Sequence, residues 1–302
     1  MLLYICWTNQ FHLQQGLYKY MKKRKLLVPI FSIIIALLGI LSGYMIGSNI
    51  SSKKFTVDKY ANLNAEELVD DISRINYQGK TPDQLPASIV FQIGAKKQLE
   101  SDYYKCIGSG TIENNLGVNQ TTYTYDEKID NTVHIAFITF SSFVRVAQQA
   151  TFEIGGDINM QHGDTKDGLL ENVVWKDKFD HYTWEGYHEK FGKYANVNSS
   201  YIVSTKTTTY EHFDGKNGNL YTFSLKLDPI LGTVTYAKQI ASNLGAQPSA
   251  EKFSEISITF TVDENFTLIS QDKVEAYSMP IFGMNVSLVG RIHNETIYER
   301  GQ

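Results

Sequence analysis

Among the residues able to do chemistry, no set falls at a spacing that completes a reaction centre. Ser109 sits between Gly108 and Gly110. That triplet lacks both the five-residue spacing of a nucleophile elbow and the lysine of a phosphate loop, so its glycines read as a bend in a strand or the close approach of another backbone. His181 and His188 are seven apart, and His188-Glu189 is followed by Gly192 where a helical zinc-hydrolase motif needs its second histidine. His162, Asp164 and Asp167 could ligate a cation, but Lys166 and Gly168 stand where a calcium loop needs oxygen ligands. Asp70-Asp71 and Asp263-Glu264 are adjacent carboxylates on a predicted helix and a predicted turn, where solvated charge is the expectation. The expectation is therefore a protein with no catalytic residues, no metal and no cofactor. A cleft gathering His134, His162 or His188 with carboxylates would mark an enzyme instead.

The densest apolar grouping is Trp175, Phe179, Tyr182, Trp184, Tyr187 and Phe191. Aromatic residues are enriched at ligand mouths and partner surfaces, which makes these six the candidate ligand-binding residues. The alternative is a satellite core under a long connection. Cys106 stands in an apolar-alternating stretch and is expected to be a small buried side chain.

These residues must be positioned by elements outside a membrane if one segment does what its composition predicts. Leu26 to Ile46 are twenty-one positions without a charge, directly after Lys22, Lys23, Arg24 and Lys25. About 20 apolar residues span a bilayer core, and a basic flank stays cytoplasmic. The expected organisation is a cytoplasmic N-terminus at 1–25, with translation starting at Met21, and a transmembrane signal-anchor at 26–48. A linker at 49–57 and an extracytoplasmic domain at 58–302 follow. Small residues at Ser42, Gly43, Gly47 and Ser48 leave cleavage open. Cys6 and Cys106 then lie on opposite sides and cannot pair within one chain. Five of the 28 basic residues precede residue 49, leaving 23 against 32 acidic in the remainder, a net charge of −9. That sign argues against nucleic acid as a partner.

Helices are predicted at 64–75, 87–100, 182–192 and 234–244 from their apolar spacing and end signals. Strands are predicted at 103–112, 121–125, 133–140, 144–154, 201–211, 221–228, 256–262, 267–278 and 284–293. Asn114 to Gly117 reads as a hairpin loop and His162 to Gly168 as a turn. A helix followed by three hairpin-linked strands recurs at 87–140 and 234–293. The expected fold class is α+β: the N-terminal transmembrane helix, then a curved, mostly antiparallel sheet (a half-barrel) with two or three helices packed on its concave face.

The order of these elements, and the run FSEISITFTVDENFTLISQDKVEAYSMPIFGMNVSLVG at 253–290, resemble the bacterial lipoprotein carriers (LolA-like) and their mycobacterial lipoprotein relatives. The chain is also similar to anchored proteins of low-GC Gram-positive bacteria, with 23 Lys among its 28 basic residues. The carrier resemblance implies an open half-barrel with an apolar cavity for acyl chains. The lipobox cysteine common in that family is absent. The functional expectation is a membrane-anchored, non-catalytic binding domain for a lipid or other apolar ligand. The alternative is an envelope interaction or regulatory protein, with another envelope protein as partner and no small-molecule ligand.

Overall fold

A computed structural model of the chain describes residues 60, 63–117, 119–141, 145–191, 201–237, 252–281 and 284–299. Eleven strands form one antiparallel sheet. They are β1 (Tyr103–Asn114), β2 (Gln120–Ile129), β3 (Thr132–Phe140), β4 (Arg145–Glu153), β5 (Ile158–Asp164), β6 (Val174–Tyr182), β7 (Thr208–Asn217), β8 (Leu220–Leu227), β9 (Lys252–Asp263), β10 (Leu268–Ile281) and β11 (Met284–Ile297). Their spatial order is β6-β5-β4-β3-β2-β1-β11-β10-β9-β8-β7. Two meanders, β1 to β6 and β7 to β11, therefore meet at the single non-sequential pair β1/β11. Cys106 faces Thr296 and Gly108 faces Asn294 in that pairing.

This architecture corrects the expected α+β half-barrel with two or three helices on its concave face. Among the described residues the helices are α1 (Ala65–Leu68), α2 (Ala87–Glu100), α3 (Trp184–Phe191) and a helical turn at 234–237. Only α2, with 14 residues, has substantial length. No described helix is long and apolar enough to cross a membrane. Residues 26–48, where the sequence places the span, lie outside the described residues, as does most of the expected helix at 234–244.

The expected helix over 64–75 breaks because its aspartates find better partners. Asn64 caps α1 by accepting from the Glu66 N–H at 3.0 Å. Four residues on, Asp70 accepts from the Thr205 N–H (2.8 Å), the Thr205 hydroxyl (2.6 Å) and the Gln92 amide (2.8 Å). Asp71 caps a separate 3-10 turn at Ile72–Arg74. Aspartate competes with helix propagation in this way whenever such donors are near. The strand expected at 201–211 starts only at Thr208. Before it, Ser204 and Thr207 close a buried turn in which the Thr207 hydroxyl donates to the Ile202 carbonyl at 2.6 Å.

The largest core lies under α2. Ile89, Val90, Phe91 and Ile93 of the helix pack on Phe223 and Leu225 of β8 and Ile256, Ile258 and Phe260 of β9. Phe91 meets Phe260 edge-on at 5.2 Å, and Phe260 stacks on Phe223 at 5.4 Å. Charged side chains hold both helix ends. Glu211 on β7 accepts from the N–H (2.9 Å) and hydroxyl (3.0 Å) of Ser88 in the first turn. Lys128 on β2 donates to the Leu99 carbonyl (2.6 Å) and the Ser101 carbonyl (2.9 Å) at the last turn. Each charge opposes the end of the helix dipole it faces.

Candidate functional site

The six predicted ligand-binding aromatics do not form one surface. Tyr182, Trp184 and Tyr187 pack into a second core with Val133, Ala150, Phe152, Ile158 and Met160 at the far end of the sheet. Tyr187 is buried, with burial pushing its hydroxyl up to about 12. Trp175 is half-buried on β6, opposite Gly163, and Phe179 is 53% exposed on the same strand. Phe191 is the last residue of α3.

Between the two apolar cores, the face of the sheet that carries α2 holds a polar band. The register makes this plain, because side chains on one face line up across paired strands. Phe260 is level with Gln271, Asn294, Gly108, Thr124 and Phe137 in successive strands from β9 to β3. One step along, Lys273 is level with Ile292, Gly110 and Thr122. In the opposite direction Asp126 stands beside Cys106 and Thr296, and then beside Ile135, Ala150 and Met160. Phe260 at one end belongs to the first core and Ile135, Ala150 and Met160 at the other to the second, while Phe137 stands exposed beside them. The middle belongs to amides, hydroxyls, a thiol, a lysine and two carboxyls.

Some of these groups satisfy one another. The Thr124 hydroxyl donates to Asn294 Oδ1 at 3.1 Å. The Tyr104 hydroxyl donates to Asp126 at 3.1 Å. Glu275 accepts from the buried Tyr201 hydroxyl and, at 3.5 Å, from Tyr236. Around it Tyr201, Tyr236, Phe253 and Tyr277 make consecutive ring contacts of 5.3 to 5.5 Å. Others are unsatisfied. Gln271 Oε1 and Thr122 Oγ1 are buried without a hydrogen-bond partner. No carboxylate among the described residues lies within ion-pair distance of the half-buried Lys273.

Desolvation dominates the electrostatics, as expected where charges leave water without full compensation. Burial pushes the Asp126 carboxyl up to about 8, against the Tyr104 hydrogen bond and the attraction of Lys273. Burial likewise raises Glu275. It lowers Lys273, while Cys106, Glu275 and Asp126 pull the other way. The Cys106 thiol is raised by the same cause, opposed by its hydrogen bond with Thr296. Cys106 is thus half-buried in a polar setting, where the sequence predicted an apolar one.

The histidines stay apart. His162 lies on β5, so the turn expected from 162 begins only after Asp164; its ring is 3.5 Å from Asp180. His181 is 3.2 Å from Asp157, and His188 is 3.8 Å from Glu66. Among the described residues no three His, Cys, Asp or Glu side chains converge as a metal site would require. Ser109 is exposed at the centre of β1 with its neighbouring glycines turned to the other face.

No family model matches the sequence, and no curated protein matches it. Among solved structures the chain is similar to a LolA superfamily protein from Nitrosomonas europaea, with 8% identity over 72% of this chain and 96% of that one, at a TM-score of 0.25. It is similar also to the ywiB protein of Bacillus subtilis, with 9% identity, 64% and 91% coverage and a TM-score of 0.17. A third is the attachment invasion locus protein of Yersinia pestis, in complex with the heparin analogue sucrose octasulfate. It shows 8% identity, 65% and 99% coverage and a TM-score of 0.19. At TM-scores this low nothing about function follows from the likeness.

What the band can do chemically follows from its own composition. It offers one ammonium, an amide acceptor and a hydroxyl beside apolar surface. Phe137, next to Thr124 on the same face, keeps 39% of its area exposed. Such a boundary of unsatisfied polar groups and open apolar surface suits an amphiphile better than a closed core does.

Proposed function

We propose that the chain is a non-catalytic binding module for a lipid or other apolar ligand. The observation that carries this reading is the polar band between two apolar cores, with Gln271 and Thr122 unsatisfied and Phe137 open beside it. A sheet packed only for its own stability gains nothing from buried polar atoms without partners, each costing about 1 to 3 kcal/mol. A ligand that covers the apolar surface and satisfies those atoms offsets that cost. Binding is then driven by apolar burial at about 25 cal/mol per Å², and no covalent step is involved. The basic cluster at 22–25 and the uncharged run after it support a place at the cell membrane with the sheet outside. Protease protection of intact cells tests that location.

Native mass spectrometry of the purified chain, before and after delipidation, tests the binding reading. Adducts in the lipid mass range, lost on delipidation and restored by adding lipid back, are expected. A clean unliganded mass from folded protein would overturn it. That result would favour the second reading, an envelope interaction protein. The exposed Val174 and Phe179 on edge strand β6, and Tyr210 and Phe213 on edge strand β7, support this alternative.

A further inference from the structure

Resting on the binding reading above, we infer that the ligand carries an organic ammonium group, seated against the Glu275 carboxylate and the rings of Tyr201, Tyr236, Phe253 and Tyr277. Glu275 and Tyr277 are two apart on β10 and project from one face. Phe253 of β9 pairs directly with Tyr277. Tyr201 and Tyr236 come from outside the sheet. Tyr201 meets Tyr236 edge-on at 5.4 Å, Tyr236 meets Phe253 at 5.5 Å, and Phe253 meets Tyr277 at 5.3 Å. Tyr201 and Phe253 are buried while Tyr236 and Tyr277 are half-buried, so the ring set opens on the side of the latter two.

Glu275 is only 7% exposed, yet it lacks a counter-charge. Its Oε2 accepts from the Tyr201 hydroxyl, and its Oε1 accepts from Tyr236 at 3.5 Å, the outer limit of a hydrogen bond. No cation among the described residues lies within ion-pair distance of it, Lys273 included. A carboxylate taken out of water calls for a paired charge, and ring faces attract that same positive sign. A cation within about 6 Å of a ring centroid feels this attraction, so one ammonium at the open side reaches two rings and Oε1 together. A methylated ammonium suits the place better than a bare one, because it has no N–H to satisfy and lays apolar methyl groups on the rings. Burial raises the carboxyl, and an arriving cation supplies the charge that returns it to the ionised form.

Apolar surface adjoins the seat. Gly290 lies between Glu275 and Ile112 on one row, and a Cβ there would stand 3.1 Å from Glu275 Oε1. The glycine thus gives the carboxylate its room. Beyond it, Val286 and Leu288 are buried with Ile112, Leu116 and Tyr277 half-buried against them. An alkyl chain attached to the ammonium lies along that cluster. A free organic cation has the same headgroup chemistry, and the experiment separates the two sources.

The test is titration calorimetry on the full chain with tetramethylammonium, dodecylphosphocholine and dodecyl maltoside as probes, the detergents kept below their micelle concentrations. Glu275→Gln and Tyr236→Leu are compared with the parent, with folding checked by circular dichroism. Glu275→Gln keeps an oxygen acceptor for Tyr201 and removes only the charge, so this variant is expected to fold. Dodecylphosphocholine and tetramethylammonium should both bind the parent and weaken at least about tenfold on Glu275→Gln, the low end for losing a close charge pair. Tyr236→Leu should weaken them about two- to thirtyfold, the range for one cation–π contact. Dodecyl maltoside, which carries no charge, should change by less than about twofold on Glu275→Gln. Tetramethylammonium binding alone, lost on Glu275→Gln, would uphold the ammonium seat and overturn the apolar-ligand reading. Binding of both detergents unmoved by Glu275→Gln would overturn the seat and leave that reading intact. Binding of none of the three would overturn both.

Discussion

The Thr124 hydroxyl donates to Asn294 Oδ1 at 3.1 Å across Gly108, joining β2 to β11 over the strand between them. An added Cβ at Gly108 would lie 2.1 Å from the Asn294 oxygen and 2.2 Å from the Thr124 oxygen. The bond exists because residue 108 has no side chain. It also ties the two meanders at the junction where the chain is not sequential. Gly108→Ala is therefore expected to destabilise the sheet by about 1 to 3 kcal/mol, the usual cost of forcing atoms into filled space. Urea unfolding measures it. A midpoint equal to the parent's would show that Thr124 and Asn294 move apart without cost.

Lys128 ties α2 to the opposite meander. It is 6% exposed and donates to two carbonyls at the last turn of the helix. Hydrogen bonds from a charged donor contribute about 1.5 to 3 kcal/mol each, and a carbonyl left without its donor adds a further penalty. Lys128→Met keeps the length of the stem and removes only the ammonium. With two such bonds, a loss of about 3 kcal/mol or more is expected by urea unfolding. Hydrogen exchange should rise first at the C-terminal end of α2. Uniform exchange changes across the sheet would contradict a local role.

Much of the sheet was legible because its strands either alternate or sit between clear turn signals. Leu225 and Leu227 face in while Ser224 and Lys226 do not, as the period-2 pattern requires. The polar band was not legible for the same reason. On β10 the pattern Gln271-Asp272-Lys273-Val274-Glu275-Ala276 invites placing Val274 and Ala276 inside, yet Gln271 and Glu275 are the buried ones. The polar side chains face inward because Tyr201, Tyr236 and Phe253, distant in sequence, close over Glu275. No local window contains that information. The glycine pair at 108 and 110 was the available hint. It does mark close approach, of side chains at Gly108 and of the β11 backbone at Gly110.

Asp126 gives the molecule a pH dependence of definite sign. Its folded-state carboxyl is pushed up to about 8 by burial. An unfolded aspartate titrates near about 3.9. Below that value both states hold the proton and the group costs nothing. Between the two values the unfolded chain releases its proton while the folded chain keeps it, so stability falls as pH rises through this window. Asp126→Asn keeps an acceptor for the Tyr104 hydroxyl and removes the titration. The parent's melting temperature should decline from pH 5 to pH 8, at about 2 to 4 °C per kcal/mol lost for a domain of this size. The variant's curve should be flatter. Parallel curves for the two would show that Asp126 is ionised in the folded state at neutral pH.

The aromatic set offers a prediction that separates packing from binding. Tyr187, at 4% exposure, meets Tyr182 edge-on at 6.0 Å, and Trp184 lies 6.0 Å from Phe152 in the same core. Truncating a buried aromatic side chain costs about 3 to 5 kcal/mol, so Tyr187→Ala should destabilise strongly. Phe179, half of it in water on the outermost strand, should tolerate serine within about 0.5 kcal/mol. Trp184→Ala should lose stability while remaining folded, and lipid adducts in native mass spectra should persist if these residues are core alone. Adducts lost from folded Trp184→Ala but kept in Glu275→Gln would move the ligand from the polar band to this end of the sheet.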